Sequence, residues 1–283
     1  MVNKNSGEDD RAFSFLWINE REKKPRKQGK TEIRGSYHNL LTKTQLRDLL
    51  EVTASYVDTY KYSGGAMRLM PRSVVKETND ICHSHDVEVS TGGNFEFVIT
   101  RGTKAIDQFL GECKDIGIDI IEISTGFVKL STEDQIRLTK KVISMGLKAK
   151  PEVNIGGTGF SSAAELEAAG VLNLDPSRAI ELAKRQLDAG ADMIMMESEG
   201  ITEEMPSRNH WRTDVITRFA SEIGLEKMMF EASDPAVFAW YITNFGPDVN
   251  LFVDHTQILT LESFRAGVSG HRDMWGRIFT YKC

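Results

Sequence analysis

Several short segments carry polar side chains where an apolar run ends, and one spells out their geometry. In KAKPEVN, Lys148, Lys150, Glu152 and Asn154 alternate with Ala149, Pro151 and Val153. On a β-strand that alternation puts the charged set on one face and the apolar set on the other. Comparable endings occur at Lys61 and Ser63, Glu122 and Ser124, Glu197 and Glu199, Glu231 and Ser233, and Asp254 and His255. Burying unpaired charge is expensive, so such residues either pair with one another or hold a ligand. Gathered at one place, they suit acid–base chemistry on a small anionic substrate. Lys61 fits an electrophile or proton carrier, or else a structural ion pair. Lys150 and Glu152 fit an internal salt bridge or substrate contacts. Glu122 and Glu197 offer oxygen-only ligands, the set that suits Mg²⁺. Glu231 becomes a general base if burial raises its pKa, or else it pairs with Lys61 or Lys150. Asp254 and His255 are adjacent, so at most one of them lines a shared site. His255 is the alternative proton carrier; His83 and His85 are assigned to structure.

These residues need elements that bring their ends together, and a recurrent phrase supplies them. A helix end, a glycine and an extended apolar run recur as DIG-IDIIEIS, SMG-LKAKPEV, DAG-ADMIMME, EIG-LEKMMFE and NFG-PDVNLFVD. Glycine ends a helix in the left-handed conformation without a Cβ penalty, here at Gly117, Gly146, Gly190, Gly224 and Gly246. The preceding segments have helical spacing, as in Ile106, Phe109, Leu110 and Cys113, or Val215, Ile216, Phe219 and Ile223. Ser131 with Asp134 resembles a capping box. TEIRG (31–35), SYVDTYKYS (55–63) and DVEVSTGG (86–93) bring the strands to eight. Eight βα units predict a single (β/α)8 TIM barrel of class α/β, whose chemistry belongs at the C-terminal ends of the strands. An open doubly wound sheet is disfavoured, because no Gly-x-Gly-x-x-Gly turn follows the first strand. Residues 1–12 are expected to be a disordered tail and 13–283 the barrel. Loops over Gly156–Leu174 and Glu199–Asn209 are long enough for lids. Met193, Met195, Met196, Met228 and Met229 read as core filling.

The net charge of −6 favours neither nucleic acid nor an anionic membrane as partner. No apolar run is long enough to span a membrane, and MVNKNSGEDD does not read as a secretory signal. Cys82, Cys113 and Cys283 are expected to be reduced, which with the absent signal points to the cytoplasm. A homo-oligomer is expected. The basic run NEREKKPRKQGK (19–30) is either a solvated entry segment or a source of Lys24 and Arg26 for an anion at the rim.

At the same residues the sequence resembles a known family. KPRxxGxT, KYSGG, VSTGG, IEIS, KPEV, DAGAD, MFEAS and NLFVDHTQILTLESFRAG follow in an order similar to that of the phosphosulfolactate synthases, over roughly residues 13–270. The second half looks nearest to the plant heat-stress-associated branch. The resemblance implies a (β/α)8 barrel and Mg²⁺-dependent addition of sulfite to phosphoenolpyruvate. Lys61, Glu122, Glu152, Glu197 and Glu231 match its acidic and basic positions. Arg34, Ser63, Ser124, Lys150 and Asn154 are assigned to substrate binding, with Arg34 and Lys61 polarising a carboxylate. The chain departs from the family at Arg34-Gly35-Ser36, Asn154-Ile155 and Glu197-Ser198-Glu199, where a synthase carries an Asp-Lys-Gly ending, a lysine and an arginine. Each lost charge-assisted contact is worth about 1.5–3 kcal/mol, so an altered substrate is expected. The competing reading is a non-catalytic, stress-associated protein that acts through protein partners.

Overall fold

The computed structural model describes residues 11–35, 41–155, 168, 170, 175–232 and 234–268. Eight parallel strands close into a barrel in chain order. They are β1 Thr31–Arg34, β2 Thr59–Lys61, β3 Glu88–Ser90, β4 Ile120–Ile123, β5 Lys148–Val153, β6 Ile194–Met196, β7 Met228–Glu231 and β8 Leu251–Asp254. β1 pairs with both β2 and β8, so the sheet has no free edge. Around it lie α1 Lys43–Thr53, α2 Arg72–Ser84, α3 Phe95–Ile99, α4 Thr103–Ile116, α5 Thr132–Ser144, α6 Ser177–Asp188, α7 Thr213–Ile223, α8 Pro235–Phe245 and α9 Ile258–Arg265.

The five punctuating glycines all have positive φ, from +77° at Gly146 to +102° at Gly190. β2 and β3 are shorter than their apolar runs because 3-10 turns at Ala54–Tyr56 and Gly92–Asn94 take the ends. Ser131 caps α5 through the Asp134 amide, but the Asp134 carboxylate returns to the serine hydroxyl instead of the backbone. A full capping box forms at Thr42 and Gln45.

The strands' outward faces and the helices build one large core, which includes Ile33, Val89, Ile121, Ala149, Met196, Met228 and Phe230. Inside the barrel a smaller apolar cluster joins Met193, Met195, Met229 and Phe252. The methionines therefore fill space on both sides of the sheet.

The basic entry segment seals the opposite end of the barrel from the expected site. Lys24 Nζ donates to the carbonyls of Val57, His85 and Asp86 at 2.8–3.0 Å, ahead of β2 and β3. Arg26 pairs with Asp58 at 3.2 Å. Fully buried Arg265 donates to the carbonyls of Gly29 and Val249. Lys24 and Arg26 thus satisfy backbone and carboxylate groups at the N-terminal mouth and are not available to an anion at the other rim. His83 pairs with Asp119, and His85 bonds the carbonyl of Ile81.

Cys82 and Cys113 are buried free thiols. Among the described residues, no helix is long and apolar enough to cross a membrane. Residues 1–10 of the expected tail, most of the 156–174 loop, Ser36, Ser233 and Cys283 lie outside the described residues.

Candidate active site at the C-terminal mouth of the barrel

Alternation along the strands sends Glu32 and Arg34 of β1, Lys61 of β2, Glu122 of β4, and Lys150 and Glu152 of β5 into the barrel, opposite neighbours that join the outer core. Four of these side chains form a buried floor. Lys61 Nζ lies 2.7 Å from Glu122 Oε1, and Lys150 Nζ lies 3.1 Å from Glu122 Oε2. Lys150 also spans the barrel to both carboxylate oxygens of Glu32 at 2.5 Å. Lys61 reaches β4 across β3 because its partner there, Ser90, is small. The ring of Phe252 lies 4.0 Å beneath Lys61 Nζ, a cation–π contact that stabilises the ammonium. Two lysines face two glutamates, so the floor is internally neutral. Burial alone would push Glu122 up, but Lys61 and then Lys150 outweigh it and hold this carboxyl below its usual range. Burial likewise opposes charge on Lys61, yet Glu122, followed by Glu32, Glu152 and Glu231, holds its pKa above the ordinary lysine value.

Above the floor the balance changes. Glu152, Glu197, Glu199, Glu203 and Glu231 line the β5–β7 side, and their close cation is Arg34, 2.9 Å from Glu231. The β6 loop creates this crowding. The Ser198 carbonyl accepts from the amides of Ile201, Thr202 and Glu203 at 2.9–3.0 Å. That tight turn folds Glu203 back beside Glu199, and Ser198 Oγ donates to Glu203 at 2.5 Å. Carboxylate oxygens of Glu199, Glu203 and Glu231 all lie within 4.8 Å of one another. Burial, then Glu231, pushes Glu199 up to about 8. Burial also raises Glu203. Glu197 is raised well above the usual carboxyl range, by burial first and then by the neighbouring Glu152. Two carboxyl groups side by side in a buried site do not both ionise readily, so Glu152 and Glu197 favour holding one proton between them.

On the facing side, three consecutive strands end in small polar residues and glycine: Ser63-Gly64-Gly65, Ser90-Thr91-Gly92-Gly93 and Ser124-Thr125-Gly126. Gly92 has φ of +60°, and a Cβ there would lie 2.0 Å from the Tyr62 carbonyl oxygen. No other residue fits so close to β2. These loops leave the side of the mouth next to Lys61 lined by backbone and hydroxyl groups.

The structure brings Arg34, Lys61, Glu122, Lys150, Glu152, Asn154, Glu197 and Glu231 to one end of the barrel interior. Asn154 Nδ2 donates to Glu197 at 3.3 Å, and Ser124 Oγ donates to Glu152. Ser63 Oγ donates to the Gly35 carbonyl. His255 Nδ1 lies 3.2 Å from the Arg34 carbonyl oxygen and 3.3 Å from Asp254, so it pins the end of β1. Glu122 and Glu197 do not share a metal-sized cluster: Glu122 is held by two lysines, and Glu197 by Glu152 and Asn154. Lys150 pairs with Glu32 and Glu122, not with Glu152.

Glu32 and Glu203 were missed by the sequence reading. The alternation of TEIR puts Glu32 on the face of Arg34, the same signal that marked KAKPEV. Nothing local marks Glu203, which comes to the site only through the loop turn.

The sequence profile of the (2R)-phospho-3-sulfolactate synthases matches residues 19–271, which takes in every residue of the floor and the rim. The chain belongs to the phosphosulfolactate synthase family. Within it, the chain is 34% identical to Protein HEAT-STRESS-ASSOCIATED 32 of Arabidopsis thaliana, over 89% of this chain and 91% of the relative. It is 30% identical to the phosphosulfolactate synthase of Methanothermobacter thermautotrophicus, over 94% of this chain and 98% of the relative. Among solved structures, the putative copper homeostasis protein CutC of Streptococcus agalactiae superposes with a TM-score of 0.51 at 11% identity, covering 80% of this chain and 98% of that one. At that identity the likeness concerns the barrel alone.

Proposed function

We propose that this protein is a lyase-type member of its family, which adds a nucleophile to an unphosphorylated enoate or eliminates one from it. The observation that carries this reading is the contrast between a neutral, lysine-bearing floor and a rim of five carboxylates with one guanidinium close by. A phosphate dianion at that rim would meet like charge in a poorly hydrated site, where repulsion is strong. A single substrate carboxylate can lie on the β2–β4 side, near Lys61 and the backbone amides of the glycine loops.

The rim fits the divalent cation that the family implies. Glu199, Glu203 and Glu231 supply an oxygen-only donor set suited to Mg²⁺, and buried Glu199 Oε2 has no hydrogen-bond partner. Held there, the cation would stabilise negative charge developing on the substrate carboxylate. The protein's own groups then do the following. Arg34 holds Glu231 in place. Lys61, kept protonated by the floor, attracts the carboxylate into which electrons flow as the nucleophile attacks the β-carbon. The proton shared by Glu152 and Glu197 is available to the α-carbon, and in the reverse direction the pair accepts it.

The test incubates the protein with Mg²⁺ and sulfite, together with either phosphoenolpyruvate or an unphosphorylated enoate such as crotonate. Sulfonated product is read by mass spectrometry. Product from the unphosphorylated acid, reduced at least about a hundredfold in Glu197→Gln, supports the proposal. Product from phosphoenolpyruvate alone would overturn the altered substrate. If a folded, Mg²⁺-binding protein yields none from either, the enzymatic reading fails and the partner-binding one takes its place.

A further inference from the structure

On the helix side of the loops that follow β2 and β3, a cavity of about 420 Å³ opens beside α2 and α4. Its walls include Met67, Val75, Val98, Phe109, Cys113 and Ile116. Burial pushes the Cys113 thiol up to about 12, so it serves as apolar wall and not as a nucleophile. The size lies in the range of small-molecule sites.

The rim of this cavity is cationic. Arg72 is neutralised by Glu112 at 2.6 Å. Arg68 and Arg101 instead lie over the ring of Phe97, with guanidinium carbons 3.6 and 4.4 Å from its centroid. Both arginines are exposed, and Phe97 is 40% exposed between them. Among the described residues, neither arginine has a carboxylate within ion-pair distance. Guanidinium groups stacked on an aromatic face keep their in-plane N–H donors free for an oxyanion. An apolar chamber under two such donors matches a molecule with a hydrocarbon tail and one anionic head.

We propose that the α2–α4 cavity is a binding site for a small amphipathic anion, a medium-chain carboxylate, with its tail among Met67, Val98 and Phe109 and its head on Arg68 and Arg101. The site lies on the helix side of the loops that line the mouth, and it does not depend on the reaction proposed there. Charge sets the occupant's sign, and a volume of about 420 Å³ suits a single chain.

The probe is decanoate, titrated calorimetrically into the full-length protein, with decyltrimethylammonium as a cation of the same chain length. Saturable one-to-one binding of decanoate is expected, with the cation at least tenfold weaker. Arg68→Glu combined with Arg101→Glu should weaken decanoate at least tenfold. Ala105→Trp, which places an indole in the cavity, should abolish binding while circular dichroism stays unchanged. No saturable binding below the micellar concentration would overturn the proposal. So would equal affinity for the cation, or full binding in a folded Ala105→Trp variant. If sedimentation shows a wild-type dimer that Ala105→Trp dissociates, the cavity belongs to a second copy of the chain and the proposal likewise fails.

Discussion

The floor and the rim of the barrel mouth use the same residue type for opposite ends. In the floor, Glu32 and Glu122 each sit within 3.1 Å of a lysine, and charge cancels among four buried groups. In the rim, Glu152, Glu197, Glu199, Glu203 and Glu231 crowd together with Arg34 as their close cation. A buried set in balance fixes a geometry and keeps Lys61 charged at the edge of the site. A set of carboxylates out of balance must take up protons or a cation, and so it can bind and react. The lowered pKa of Glu122 and the raised values of Glu197 and Glu199 run in opposite directions, although burial raises Glu32 of the floor as well.

The largest expected effect breaks the floor. Lys150→Met leaves Glu32 without its cation and Glu122 with one instead of two. Breaking a buried pair from one side costs about 3–5 kcal/mol, which urea denaturation would measure. A loss below about 1 kcal/mol would show that the floor is neutralised in another way.

Next comes pH, to which the rim and Glu122 respond with opposite sign. Glu199 titrates near 8 in the folded protein, above about 4.3 when unfolded. A raised carboxyl contributes stability that is complete below the unfolded value and is lost as pH rises through the folded one. Glu197 and Glu203 shift in the same direction. Metal-free protein should therefore lose roughly 1–3 kcal/mol between pH 6 and pH 9, read as a falling Tm in EDTA. Added Mg²⁺ should flatten the profile. Glu122 of the floor behaves oppositely: held low, it loses its contribution as pH falls through its folded value, whereas Glu32, raised by burial, follows the rim.

Glu199→Gln sharpens the comparison with a smaller effect. It relieves repulsion with Glu231 and Glu203, so the metal-free protein at pH 8.5 should gain about 1 kcal/mol. Calorimetric Mg²⁺ affinity should fall at least tenfold. A destabilised variant would place Glu199 in a satisfied network after all. Ser198→Ala, the mildest change, removes the hydroxyl that orients Glu203 and should cost about 0.5–1.5 kcal/mol by the same denaturation.

Much of this was legible in the sequence. Alternation in KAKPEVN named Lys150, Glu152 and Asn154 as inward-facing, and the five glycines marked where helices stop. Both signals are local, since strand pleat and left-handed backbone depend on neighbouring residues only. The closed eight-strand barrel followed from repetition of one unit. Partner choice did not follow. That Lys150 crosses to Glu32 instead of pairing with Glu152, that Lys24 and Arg26 close the opposite mouth, and that Glu203 folds back onto Glu199 were all decided by tertiary structure. Ion pairing depends on distances between residues such as Lys150 and Glu32, 118 positions apart, or Arg34 and Glu231, 197 apart, and those distances exist only after the barrel has closed. The sequence by itself determined which face each charge would take; closure determined which charges are neutralised and which are left to bind.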